Sequence, residues 1–210
     1  AESSVNVEMG MRLTTNKMKL EAIVFNNNYS NMLGSDLAAQ GGQGTLEQFN
    51  VGKAMVNGLE LMFQYLPLPK HFAFQLPIQL SYTYTNTQMK NDFESSAWGH
   101  VHYGDEIPYI YKHAFNAQIS LEHKRVEANF GARFNGDMRT TPGQGKIAER
   151  EKIPAHVILD ASLKVHVNKN ITISLNGINL ANKKYLVSRH PSGLRAGHPL
   201  GVYGGLRLQL

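Results

Sequence analysis

The 210-residue chain contains no cysteine. Disulfide scaffolds and thiolate metal centres are therefore excluded, and compartment cannot be read from cysteine pairs. No stretch approaches the roughly 18 consecutive apolar residues of a membrane-spanning helix. Charge of one sign is scarce too. The formal net charge is +5, and the basic residues are scattered rather than gathered in a stripe, so no nucleic-acid partner is expected. There is no nucleophile elbow, no phosphate-binding glycine loop and no HExxH, so neither a catalytic residue nor a resident metal or cofactor is expected. The opening AESSVNVEMG lacks the basic and apolar regions of a signal peptide.

What the chain does have is a period-2 alternation of hydrophobicity, repeated along its length. Val5, Val7, Met9, Met11 and Leu13 alternate with Asn6, Glu8, Gly10 and Arg12. Val157, Leu159, Ala161, Leu163, Val165 and Val167 alternate with residues that include Asp160, Ser162, Lys164 and His166. Val202, Gly204, Leu206, Leu208 and Leu210 do so against Tyr203, Gly205, Arg207 and Gln209. Strand side chains point alternately to opposite faces, so each segment has one apolar and one polar face. Mean hydropathy stays low, at −0.31, because only every second residue is apolar.

Nine strands are expected, at about 4–14, 17–28, 47–66, 75–87, 109–122, 125–137, 155–167, 170–180 and 200–210. On the third, Phe49, Val51, Met55, Leu59, Leu61, Phe63 and Tyr65 share a face that Lys53 and Asn57 interrupt. Its upper part is expected to project beyond lipid. Connections alternate in length. Short ones lie at Thr14–Lys17, Leu66–Phe74, His123–Lys124 and Val167–Asn170, and long ones at about 29–46, 88–108, 138–154 and 181–199. Loops of about 15 or more residues are uncommon in compact soluble domains. Short turns at one end and long loops at the other are the habit of outer-membrane barrels. Tyr65, Tyr82, Tyr84, Tyr109 and Tyr111 sit toward strand ends on the apolar parity, as girdle aromatics do. The fold expected is therefore all-β, a transmembrane antiparallel β-barrel. A soluble lectin-like sandwich is the alternative, which would share the alternation but not the asymmetry of the loops.

An odd number of strands is unusual for a single-chain bacterial barrel. The first and last strands run in the same direction, and an open edge cannot sit in lipid. Residues 1–210 are thus expected to be the C-terminal part of a larger barrel.

Several segments carry a family likeness: NVEMGMR, LEAIVFNNNYSNML, FNVGKAMVNGLELMFQY, LSYTYTNTQ, GDEIPYIYKHAFNAQISLEHK and ISLNGINLANKKYLVSRHPSGLRAGHP, in that order. Together they resemble the C-terminal barrel region of TonB-dependent outer-membrane receptors. MRTTPGQGKIAEREKIPAH and YLVSRHPSGLRAGHP look most like the ferric citrate transporters and their iron-transport relatives. The resemblance implies about the last nine strands of a 22-stranded barrel, in the cell outer membrane of a Gram-negative bacterium. It implies import of a ferric chelate (ferric citrate or another siderophore) driven by TonB, which would act through an N-terminal plug region absent from this sequence. Outer-membrane lipid and lipopolysaccharide would surround it. A passive pore or a surface-binding barrel is the competing function.

Ligand contacts are expected in the long loops. Arg139, Arg189 and Arg195 would suit carboxylates, because the planar guanidinium donates two parallel hydrogen bonds. Arg150 lies between Glu149 and Glu151, which offset its charge. His100 and His102 form an HxH pair whose rings share one side of an extended segment, and His190 and His198 flank PSGLRAG. Histidine can ligate iron or haem, although solvated loop histidines are the common case. Glu60, Gln64, Gln79, Lys112, Asn116, Gln118, Glu127, Asn129, Arg133, Asp160 and Lys164 are expected to face the lumen.

Overall fold

The structure is a computed structural model that describes residues 1–35, 48–69, 71–95, 98–189 and 193–209. Nine strands form one meandering antiparallel sheet in sequence order, and a tenth, the two-residue strand Phe74–Gln75, pairs with the end of the fifth. The nine are β1 (Ser3–Thr14), β2 (Met18–Ser35), β3 (Gln48–Tyr65), β4 (Ile78–Met89), β5 (His113–His123), β6 (Val126–Asn135), β7 (His156–His166), β8 (Ile171–Ile178) and β9 (Gly201–Leu208). Among the described residues the outer edges of β1 and β9 have no sheet partner.

The register keeps each parity on one side. Leu163 lies opposite Ala128 on β6 and Leu175 on β8. Ser162 lies opposite Asn129 and Asn176 on the other face. The apolar side chains are left open to the surroundings: Val5 is 66% exposed, Met9 76% and Leu206 65%. In water such a continuous apolar surface would be a large penalty, at about 25 cal/mol for each Å². Against lipid it is the stable arrangement.

The polar face satisfies itself across strands. The Asn116 amide donates to Ser81 (3.3 Å), Ser120 donates to Asn129 (2.6 Å), and the Asn129 amide donates to Ser162 (3.2 Å). Arg133 pairs with Asp160 at 2.8 Å, and Glu127 takes Lys164 at 3.3 Å and His166 at 3.0 Å. Ser81, Asn116, Asn129, Arg133, Asp160 and Ser162 line a groove of about 720 Å³ along the middle of the sheet.

A row of asparagines crosses the apolar face. Asn26, Asn57 and Asn86 lie directly opposite one another on the apolar face of β2, β3 and β4. Beyond them β2 and β3 continue, and the hairpin Phe93–Ser95/Gly99–Val101 folds over their ends. Val51, Ala54, Met89, Val101 and Ile107 form a small buried core there. The expected projection of the third strand is thus a separate packed layer. Gly58 marks another close approach: a Cβ at this position would meet the Phe25 ring at 2.7 Å and collide with the Tyr84 carbonyl. The NGLE stretch needs glycine for that reason.

Two aromatic expectations are corrected. β5 begins at His113, so Tyr109 and Tyr111 lie in the preceding connection rather than at a strand end. Tyr109 has φ of 61° and donates its backbone N–H to the Arg139 carbonyl, so it adds nothing to the ladder of β5. Tyr82 does lie at the boundary of the apolar face, with its hydroxyl 2.8 Å from His113 Nδ1. Phe72 and Phe74, packed edge to face at 6.3 Å, supply exposed aromatics near the short-turn end.

Candidate ligand site at the long-loop end

The long connections 90–112, 136–155 and 179–200 all lie at one end of the sheet, and they carry every residue expected to touch ligand. Their backbone is held by specific bonds. Glu106 accepts Arg139 Nε at 2.9 Å and Lys112 Nζ at 3.0 Å. A second Arg139 nitrogen donates to the Gly145 carbonyl at 3.0 Å. Arg139 is only 6% exposed. It is a pin between two loops, with its charge offset by Glu106. Burial pushes the Glu106 carboxyl up, but hydrogen bonds from Arg139 and Lys112, with their charges, outweigh it and hold the group below the usual carboxylate range.

Arg189 ties the 179–200 loop to the 136–155 loop. Its Nε donates to the Lys152 carbonyl at 2.7 Å and its Nη2 to the Glu149 carbonyl at 3.2 Å. Carbonyls orient the guanidinium without neutralising it. Glu149 itself pairs with Lys152 at 2.5 Å, which lowers its carboxyl. Arg150 lies 3.4 Å from Glu151, in keeping with its acidic flanks. Arg195 is exposed, on a short strand that pairs Arg195 with Ser188. His100 and His102 are both exposed, with ring centroids 4.4 Å apart. His190 lies outside the described residues. The structure thus presents Arg195, His100 and His102 at the surface, and builds Arg139 and Arg189 into the loops.

Between the 103–112 and 138–152 connections lies a cavity of about 290 Å³. Lys112, Lys146, Lys152 and Arg139 line it, against Glu106 and Asp137. Cations outnumber anions there, so the cavity favours an anionic guest. Sequence reading missed Lys146 and Lys152, because only the folded loops bring them to Lys112.

Two further clusters escaped the sequence. His156, 5% exposed, stacks on Tyr185 at 4.6 Å and meets Tyr111 edge-on at 6.2 Å. Burial, with a smaller contribution from Tyr185, pushes the Tyr111 phenol up. Asn179 is fully buried at the end of β8, with φ of 51°. Its amide donates to the Lys183 and His198 carbonyls and its oxygen accepts the Lys183 N–H. Asn179 also donates its own backbone N–H to Asp160, which holds the loop to the polar face. The INLANKKY stretch carried this corner in plain view, but the partners are distant in sequence. Among the described residues, no three His, Cys, Asp or Glu side chains are grouped to hold a metal ion.

A sheet that is apolar toward its surroundings, polar on its inner face, short-turned at one end and looped at the other is the wall of a transmembrane β-barrel. The chain belongs to the family described as TonB dependent receptor-like, beta-barrel, whose model matches residues 1–180. Members are outer-membrane proteins of Gram-negative bacteria and are transporters and receptors rather than enzymes. A similar curated protein is the probable TonB-dependent siderophore receptor PiuA of Acinetobacter baumannii. It is 27% identical over 149 residues, 68% of this chain and 19% of that receptor. The closed form of the ferric-catecholate import receptor Fiu of Escherichia coli superposes with a TM-score of 0.69 at 22% identity, over 99% of this chain and 27% of that one. The ferric citrate transporter FecA, unliganded, gives 0.72 at 18% identity, over 97% and 31%. The chain therefore spans about a fifth to a third of the length of these relatives, and the solved structures share its fold.

Proposed function

We propose that this chain is the C-terminal wall of an outer-membrane receptor that imports an anionic ferric chelate, energised through TonB by a plug region elsewhere in the protein. The family supports receptor-mediated transport, and PiuA, Fiu and FecA are each named for iron-chelate uptake. The observation that carries the reading is the cation-rich cavity among Lys112, Lys146, Lys152 and Arg139 at the long-loop end. Arg195 adds an exposed cation on the 179–200 loop, and Arg189 donates to the Lys152 carbonyl. A fixed cationic mouth draws in an anion by long-range attraction that salt weakens. Below the mouth, the hydrogen-bonded polar wall gives a chelate exchangeable partners along the lumen.

Within this class we favour a polycarboxylate chelate such as ferric citrate, since arginine forks and lysines match carboxylates. The test is uptake of radiolabelled ferric citrate, beside a ferric catecholate, by cells whose only iron receptor is the full-length protein, with and without TonB. Lys146→Ala and Arg195→Ala should lower citrate uptake with surface abundance unchanged. Uptake that persists without TonB favours the passive pore. Catecholate uptake with no citrate uptake keeps the importer and removes the citrate assignment.

A further inference from the structure

We infer that His100 and His102 form a capture site for a divalent first-row transition-metal ion on the outer surface, independent of the chelate reading above. The hairpin Phe93–Ser95/Gly99–Val101 sets up the pair. Val101, between the two histidines, is fully buried against Val51, Ala54 and Met89. Because alternate residues of an extended segment point to opposite sides, burying Val101 turns both imidazoles outward together. The ring centroids stand 4.4 Å apart at 68°. Two imidazoles this near can share one metal ion at about 2.0–2.1 Å from a nitrogen of each.

The His100 ring is also oriented. Glu94 lies directly across the hairpin, and its Oε1 is 3.0 Å from His100 Nδ1. An ionised carboxylate only accepts, so Nδ1 is engaged as a donor and Nε2 is the nitrogen left for a metal ion. A carboxylate that orients a histidine and raises its basicity is the usual support of a metal-bound imidazole. The backbone of His102 is held by its N–H bond to Asp105 at 2.9 Å. No third His, Cys, Asp or Glu ligand is grouped with the pair among the described residues. The remaining positions on the ion stay open to water. Such a two-imidazole site suits copper above nickel and zinc in the general order of divalent affinities, and its open positions suit capture and release rather than permanent storage.

The test is titration of Cu²⁺ alone into the detergent-purified full-length protein, followed by calorimetry and by electron paramagnetic resonance. One ion should bind with hyperfine coupling from two nitrogens. His100→Ala and His102→Ala should each weaken binding at least tenfold and abolish the two-nitrogen signature, and Glu94→Ala should weaken it about tenfold. His71→Ala, near the short-turn end, should bind as the wild type does, and the heat-modifiable band of each variant reports an intact barrel. Undiminished copper affinity in His100→Ala or His102→Ala, or copper bound without nitrogen coupling, would overturn the site.

Discussion

Arg139 reaches Glu106 at 2.9 Å from a position only 6% exposed, and so ties the 138–154 loop to the 103–112 loop. Lys112 shares the same carboxylate. Removing the arginine leaves a half-buried carboxylate with one partner and frees the Gly145 carbonyl. Arg139→Ala should therefore cost about 1–3 kcal/mol of local stability. Limited proteolysis in detergent reads this directly: cleavage within 103–112 and 138–152 should quicken several-fold while the heat-modifiable barrel band persists. Arg139→Lys should rescue it only in part, since an ammonium lacks the planar guanidinium fork that reaches both acceptors. Wild-type cleavage rates in the alanine variant would show that the ion pair holds nothing.

The same pair sets an acid limit on the loop layer. Glu106 is held below the usual carboxylate range when folded. A depressed folded pKa adds stability that is fully present above the unfolded value, about 4.3, and is lost as pH falls through the lower folded value. Loop protection should thus be constant from neutral pH down to about 5 and decline in the window below about 4. Glu106→Gln should flatten that decline. Amide exchange at the loops, followed against pH, checks both.

Much of this architecture was legible because strand period and loop length are local properties. Each of the nine segments carries its own alternation, and the strand ends shift by a few residues at most of them. What stayed hidden depends on partners far away in sequence. Tyr109 lies in a stretch that reads as strand, yet its N–H is taken by Arg139 and its φ is positive. Arg139 reads as a loop cation, but Glu106, 33 residues earlier, buries and neutralises it. Lys146 and Lys152 gained meaning only when folding set them beside Lys112. The exposed pair at His100 and His102 was visible, because two residues on one extended segment need no distant partner to be aligned.

The face assignment has a sharp test on β7. Leu163 points to the apolar side opposite Ala128, and Ser162 to the polar side, where it accepts the Asn129 amide at 3.2 Å. Leu163→Arg should destabilise the inserted protein by about 2–4 kcal/mol if it lies near mid-bilayer. Ser162→Arg should cost much less, having water and Asp160 within its surroundings. Denaturant-driven unfolding from vesicles measures the difference, and equal costs would invert the reading.

Asn179 should be the most demanding single position at the end of β8. It has a positive φ, which asparagine tolerates better than most residues, and its side chain makes three hydrogen bonds to the loop backbone. Asn179→Ala loses both advantages and leaves buried carbonyls unpaired, for an expected cost of at least about 2 kcal/mol. Asn179→Gly keeps the backbone geometry and loses only the bonds, so it should fall between the two. If glycine proves as harmful as alanine, the hydrogen bonds alone set the corner; if glycine matches the wild type, the backbone angle does.

The sheet also constrains how the chain can close. In an antiparallel meander of nine strands, β1 and β9 run the same way, so joining their free edges would make a parallel pair. Transmembrane barrels of bacteria pair antiparallel throughout, and an unpaired edge leaves backbone donors and acceptors unsatisfied in hydrocarbon at several kcal/mol for each group. Residues 1–210 expressed and refolded alone in detergent should therefore fail to give a heat-modifiable, protease-resistant monomer. Supplying the remaining strands of a full-length receptor should restore one, because each free edge then meets a strand of opposite direction. A compact, protease-resistant monomer from residues 1–210 alone would mean that β1 and β9 have found another way to pair, and the proposal that they form part of a larger barrel would fall.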